Sequence, residues 1–121
     1  KENNHVIKGV FHTVNPLAND VFPIYKENSR EYSILHSENF GDVIMMEVGA
    51  LMVGRIVNNH QAASVNRGQE KGKFEFGGST VILCFKENQI VLDDDICFNS
   101  NQLVETKVKY GEKIGIQFTS N

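Results

Sequence analysis

Proline and cysteine are both scarce: the chain carries 2 of each among 121 residues. Two thiols, Cys84 and Cys97, do not make a disulfide scaffold. Cys84 stands inside the apolar run 81–85 and reads as a buried free thiol suited to a reducing compartment. Long hydrophobic runs are missing, and the few short ones could not cross a bilayer. The opening residues Lys1-Glu2-Asn3-Asn4-His5 show no leader pattern. Cationic excess is missing too: the net charge is −3 and no Lys/Arg cluster is present, which argues against a nucleic-acid partner. Asp93-Asp94-Asp95 lacks the spaced oxygen ligands of a calcium loop, so it reads as a solvated turn and no metal is expected. No helical period persists for ten residues, and neither a low-complexity tract nor a domain linker interrupts the chain.

What is present is an ordinary globular balance, 40% apolar and 22% charged, in a length that suits one domain, residues 1–121. Short apolar stretches alternate with turn signals. Strands are predicted over 6–14, 32–35, 43–48, 52–57, 73–76, 81–85 and 90–92, with a final hairpin formed by 105–109 and 114–118. Glu38-Asn39-Phe40-Gly41-Asp42 is a hairpin signal, residues 26–31 a hydrated polar turn, and 58–66, around His60, a surface loop. Many short strands with regular turns make the fold class all-β. Both alternating sets of 81–85 are apolar, which predicts a strand buried on both faces, inside a sandwich or barrel. Glu47 stands among apolar neighbours, and alternation assigns it to a wet face with a structural role.

The stretch around which the rest is arranged joins two of these strands through Gly77-Gly78-Ser79-Thr80. Paired glycines there permit backbone angles and close approaches that a Cβ would forbid, and they place a hydroxyl where the chain bends between strands. Taken alone, this is a bulge or tight turn bearing a serine. Four further segments share its order along the chain. They are Phe11-His12-Thr13-Val14-Asn15-Pro16, then Glu47-Val48-Gly49-Ala50-Leu51-Met52-Val53-Gly54-Arg55-Ile56, then Lys71-Gly72-Lys73-Phe74, and lastly Gly111-Glu112-Lys113-Ile114-Gly115. Together they resemble the phosphatidylserine decarboxylases: the Thr-Val-Asn-Pro segment, the Val-Gly-Ala-x-x-Val-Gly-x-Ile strand pair, the approach to the self-cleavage motif, and the C-terminal turn. The match runs from about 10 to 115.

The resemblance implies an antiparallel domain of short strands like a barrel-sandwich hybrid. It also implies a zymogen that cuts itself between Gly78 and Ser79, leaving a pyruvoyl cofactor where Ser79 stood. That ketone forms a Schiff base with the substrate amine and accepts electrons as carbon dioxide leaves, turning phosphatidylserine into phosphatidylethanolamine. Ser79 and Gly78 are the catalytic pair by this likeness, with Gly77, Thr80, His12 and Asn15 in supporting or binding roles. The partners implied are phosphatidylserine at a membrane surface and the protein's own cleaved subunit, and a homo-oligomer is allowed. The place implied is peripheral, on the cytoplasmic side of the cell membrane, with this fragment itself soluble. In one respect the chain departs from the family, whose cleavage base is a histidine of a His-x-x-His segment helped by an upstream aspartate. His5, His12, His36 and His60 form no such segment. The chain is therefore expected to be the C-terminal core of a longer proenzyme, truncated, uncleaved and itself inactive. The alternative is a non-catalytic hairpin carrier of the biotinyl or lipoyl type, with Lys71 or Lys86 at its tip, although neither has the flanking pattern that modification requires.

Overall fold

The computed structural model describes residues 5–7, 28–49, 55–59, 64–75 and 80–120. In chain order these form β1 (His5–Ile7), β2 (Arg30–Ser37), β3 (Gly41–Val48), β4 (Arg55–Asn58), β5 (Gly72–Glu75), β6 (Thr80–Phe85), β7 (Ile90–Leu92), α1 (Asp94–Asn101) and β8 (Gly115–Gln117). The class is all-β with one short helix. The main sheet has four antiparallel strands in the order β1-β2-β3-β6, and β4-β5 and β7-β8 are separate two-stranded pairs. Among the described residues no barrel closes.

β2 and β3 are joined by the turn at Glu38-Asn39-Phe40, as the sequence predicts. Ser37 and Gly41 face each other across it, and Gly41, the first residue of β3, has φ +65°, a left-handed conformation that glycine adopts without steric cost. The Ser37 hydroxyl accepts from the amides of Asn39 (3.3 Å) and Phe40 (3.2 Å). Phe40 then packs edge-on against Phe85, with ring centroids 6.2 Å apart, tying the hairpin end to β6.

Of the described residues, the fully covered apolar ones lie on β3: Val48 is 0% and Val43 5% exposed. Alternation along β3 puts Val43, Met45 and Glu47 on one face, and the β4–β5 hairpin lies over the last two. Gly72 permits the close pairing inside that hairpin. A Cβ there would stand 2.1 Å from the Val57 carbonyl oxygen, nearer than any side chain can sit.

Several sequence expectations are corrected. β6 pairs with β3 on one side only, as an edge strand among the described elements, and Val81 and Leu83 are 45% and 42% exposed. It is therefore not buried on both faces. Its Cys84 thiol is exposed rather than buried, as is Cys97. Asp93-Asp94-Asp95 opens α1 instead of forming a bare turn. Asp93 has extended backbone angles at the cap, and Asp94 and Asp95 put negative charge at the positive end of the helix dipole. The final strand does not pair with 105–109. Gly115–Gln117 pairs with β7, and the Phe118 amide extends that pairing by donating to the Gln89 carbonyl at 3.0 Å. Residues 28–31 are not simply a hydrated turn either: Asn28 is 0% exposed, and Arg30 and Glu31 begin β2.

Candidate functional site

Thr80, half-buried, is the first residue of β6 and stands opposite Val48. Gly77, Gly78 and Ser79, and with them His12 and Asn15, lie outside the described residues, as does His60. The chain enters this stretch from β5, which pairs with β4, and leaves it on β6, which pairs with β3. The Gly78–Ser79 bond thus belongs to a connection between two different sheets, and what holds those sheets in register sets the frame for any chemistry there.

The outgoing side is held by backbone. Six successive pairs, from Val43↔Phe85 to Val48↔Thr80, fix β6 on β3. Beyond Val48 the chain stays anchored: the Gly49 amide donates to the Ser29 carbonyl at 2.9 Å, and the buried Asn28 side chain donates to the Gly49 carbonyl at 2.7 Å. An amide placed in this way satisfies a carbonyl that would otherwise be stranded in the interior.

The incoming side is held by side chains. Lys71, the residue before β5, gives its ammonium to Glu47 Oε1 and to Asn58 Oδ1, the latter at 2.6 Å. Asn58, the last residue of β4, donates its Nδ2 to Glu31 Oε1. Glu31 and Glu47 are direct cross-strand partners on β2 and β3. The result is a polar chain, Glu31–Asn58–Lys71–Glu47, between the hairpin and the main sheet. Its central pair is largely out of solvent, with the Lys71 and Glu47 side chains 16% and 7% exposed. Glu47 Oε2 is buried and has no hydrogen-bond partner. Beside this chain lies a cavity of about 90 Å³ bordered by Met45, Glu47, Ile56, Lys71, Phe74 and Val81. That is room for water-sized molecules, not for a phospholipid headgroup.

Burial of Glu47 corrects the wet-face assignment. Alternation does put Glu47 on one face with Met45, but that face is roofed by β4–β5, and strand periodicity says nothing about what lies above a sheet. Burial of Lys71 in an ion pair with Glu47 removes it from the carrier-lysine role that the alternative reading requires. Lys86 is 68% exposed but engaged with Asp42 at 3.1 Å. The signal that could have singled out the pair was an acidic residue between Met46 and Val48 in a strand with neighbours on both sides.

At the opposite end of the β2–β3 hairpin, His36 Nδ1 lies 2.7 Å from Asp42 Oδ1. The hydrogen bond from His36, followed by the contacts of Lys86, holds the Asp42 carboxyl below the usual aspartate range. Nearby, an open groove of about 770 Å³ runs between the hairpin turn and Ser64–Arg67, well away from Thr80 in the strand register. Among the described residues no three His, Cys, Asp or Glu side chains gather as a metal site, and no helix is long and apolar enough to cross a membrane.

Comparison with known proteins supplies the remaining evidence. The sequence model of a family described as phosphatidylserine decarboxylase matches residues 2–116. The chain is 53% identical over 110 residues to phosphatidylserine decarboxylase proenzyme 2 of Clostridium acetobutylicum, covering 91% of this chain and 38% of that protein. It is 52% identical over 116 residues to the proenzyme of Clostridium tetani (94% of this chain, 39% of that one). It is 51% identical over 118 residues to a proenzyme of Clostridium botulinum (96% and 40%). The chain thus spans about two fifths of the length of these curated relatives. No solved structure matches.

Proposed function

This chain belongs to the phosphatidylserine decarboxylase family, and from that premise we propose that it is the self-cleaving core of a pyruvoyl-dependent enzyme converting phosphatidylserine to phosphatidylethanolamine and carbon dioxide. The observation that carries the proposal is the family match over 2–116, a span that includes Gly77-Gly78-Ser79-Thr80.

Residues 1–121 act as one unit in this reading, cut between Gly78 and Ser79. The Ser79 hydroxyl loses its proton to a base and attacks the Gly78 carbonyl carbon. The C–N bond breaks as the nitrogen takes up a proton, and the amide becomes an ester. Loss of the Ser79 α-proton then expels Gly78 as a carboxylate by breaking the Cβ–O bond. Water converts the resulting enamine, through its imine, to a ketone and ammonia. Gly77 and Gly78 let the peptide twist far enough for the hydroxyl to reach its own carbonyl, and Thr80 braces the exit by its place on β6. His12 and Asn15 take supporting roles, on the strength of the segment in which they stand.

The described residues fit a cofactor made in this way. A new terminus at 79 begins one residue before Thr80, and the β3–β6 pairing keeps the fragment 79–121 in place once the covalent link is gone. A pyruvoyl group there supplies an electron-withdrawing ketone for the substrate amine. A bilayer lipid as substrate places the working enzyme at a membrane surface.

The test is Ser79→Ala in the full-length protein. Wild type yields two fragments by intact mass, the smaller without a free amine, and releases carbon dioxide from phosphatidylserine vesicles. Ser79→Ala stays whole and inactive. Decarboxylation by the alanine variant, or a wild type that is active without being cut, overturns the proposal.

A further inference from the structure

The buried pair on the incoming side calls for an explanation beyond stability. Removing a carboxylate and an ammonium from water is costly, and apolar residues of similar size hold neighbouring sheets together at least as well. What an ion pair adds is direction, since it is favourable in one geometry only. We infer that Glu47 and Lys71 are positioning residues for self-cleavage, holding the arm that enters the cleavage segment on the same strand that holds the arm leaving it. The inference rests on the proposed role of Ser79.

Three observations carry it. Glu47 is referred to both arms at once: its side chain binds Lys71 just ahead of β5, while its backbone stands opposite Val81, two residues past Ser79. β5 and β6 belong to different sheets, so ladder hydrogen bonds do not set β5 against β3. Finally, the pair is braced by neighbours and largely out of solvent: Asn58 shares the Lys71 ammonium and passes the connection to Glu31, while the Lys71 and Glu47 side chains keep little exposure. Attack of a hydroxyl on its own preceding carbonyl is a reaction of orientation, in which a small displacement of one arm is felt directly in the rate.

The experiment follows fragment formation by freshly made full-length protein. In Lys71→Met it slows by roughly 10- to 100-fold, whereas Lys71→Arg, which keeps the charge, cleaves at least several times faster than Lys71→Met. The double variant Glu47→Leu/Lys71→Met separates position from stability. Measured in an uncleavable Ser79→Ala background it melts at or above the temperature of the Ser79→Ala protein alone, yet with Ser79 present it still cleaves slowly. A merely structural pair would restore cleavage together with stability. Wild-type rates in Lys71→Met, equal rates in the Met and Arg variants, or a fast double variant overturn the inference while leaving the role of Ser79 intact. A wild type that does not cleave at all overturns the Ser79 reading and this inference with it.

Discussion

Glu31 and Glu47 face each other directly across β2 and β3, two carboxylates at one rung of the sheet. Like charges so placed repel. The rung is tolerated because Lys71 neutralises Glu47 while Asn58, bound to Lys71, donates to Glu31. Both helpers come from the β4–β5 hairpin, so the repulsion is relieved only when the hairpin is seated.

Removing one member of the buried pair is therefore expected to cost more than removing both. Glu47→Ala leaves the Lys71 ammonium inside with less compensation and lowers unfolding free energy by about 3 kcal/mol. Glu47→Leu/Lys71→Met costs little or nothing. Urea unfolding of the two variants checks the order, and a double variant less stable than Glu47→Ala contradicts it.

Gly72→Ala should loosen the hairpin. The added methyl meets the Val57 carbonyl oxygen at 2.1 Å and the Asn58 Cα at 3.0 Å, both backbone atoms that cannot rotate away. A loss of about 1–3 kcal/mol is expected, with faster hydrogen exchange at the Asn59 amide, which donates to the Lys71 carbonyl at 2.8 Å. Gly111→Ala is the comparison: φ is +77° there, but nothing lies within 4 Å, so its cost is left-handed strain alone, about 1–2 kcal/mol. Unchanged exchange at Asn59 in Gly72→Ala would show that the ladder absorbs the methyl.

Asn28→Asp tests the anchor beyond β3. The substitution removes the amide that donates to the Gly49 carbonyl and sets a carboxylate against it. Loss of a buried donor costs about 1–3 kcal/mol, with more for the charge. Thermal melting of Asn28→Ala and Asn28→Asp should rank the aspartate lower at neutral pH and bring the two together in acid, where the carboxyl is protonated. The same ranking at all pH values contradicts this account.

Asp42 supplies an acid-sensitive contribution of known sign. His36, then Lys86, holds its folded pKa below the unfolded value. Its stabilisation is fully present above the unfolded value, near about pH 4, and is lost as pH falls from there through the folded value. The stability difference between wild type and Asp42→Asn should shrink as pH falls over that window. Because the groups are exposed, high salt should reduce the difference as well. A difference that persists undiminished into strong acid contradicts the prediction.

Much of this fold could be read from residues alone. The β2–β3 hairpin was legible because turn formers at 38–42 separate two apolar stretches, and β6 and β7 because apolar runs flank a polar turn at 86–89. The helix was not: eight residues rich in Asp, Asn and Ser carry no apolar stripe, and the acidic start that favours it also suits a turn. Nor was the partner of β8, because β7 and the residues just before Gly115 look equally suitable to a strand seeking a neighbour. As for the site, Gly77, Gly78, Ser79, Thr80, His12 and Asn15 came from likeness to a family, and only Thr80 falls where its strand partner is described.

The sequence by itself determined the class and the family, since turn chemistry, strand period and ordered motifs are local properties that need no third dimension. Only the tertiary structure decided that Glu47 is inside, that Lys71 is its partner, and that β6 lies at an edge among the described strands. Those facts depend on which element lies over which face, and a carboxylate in an alternating strand is written the same way whether water or a second sheet covers it.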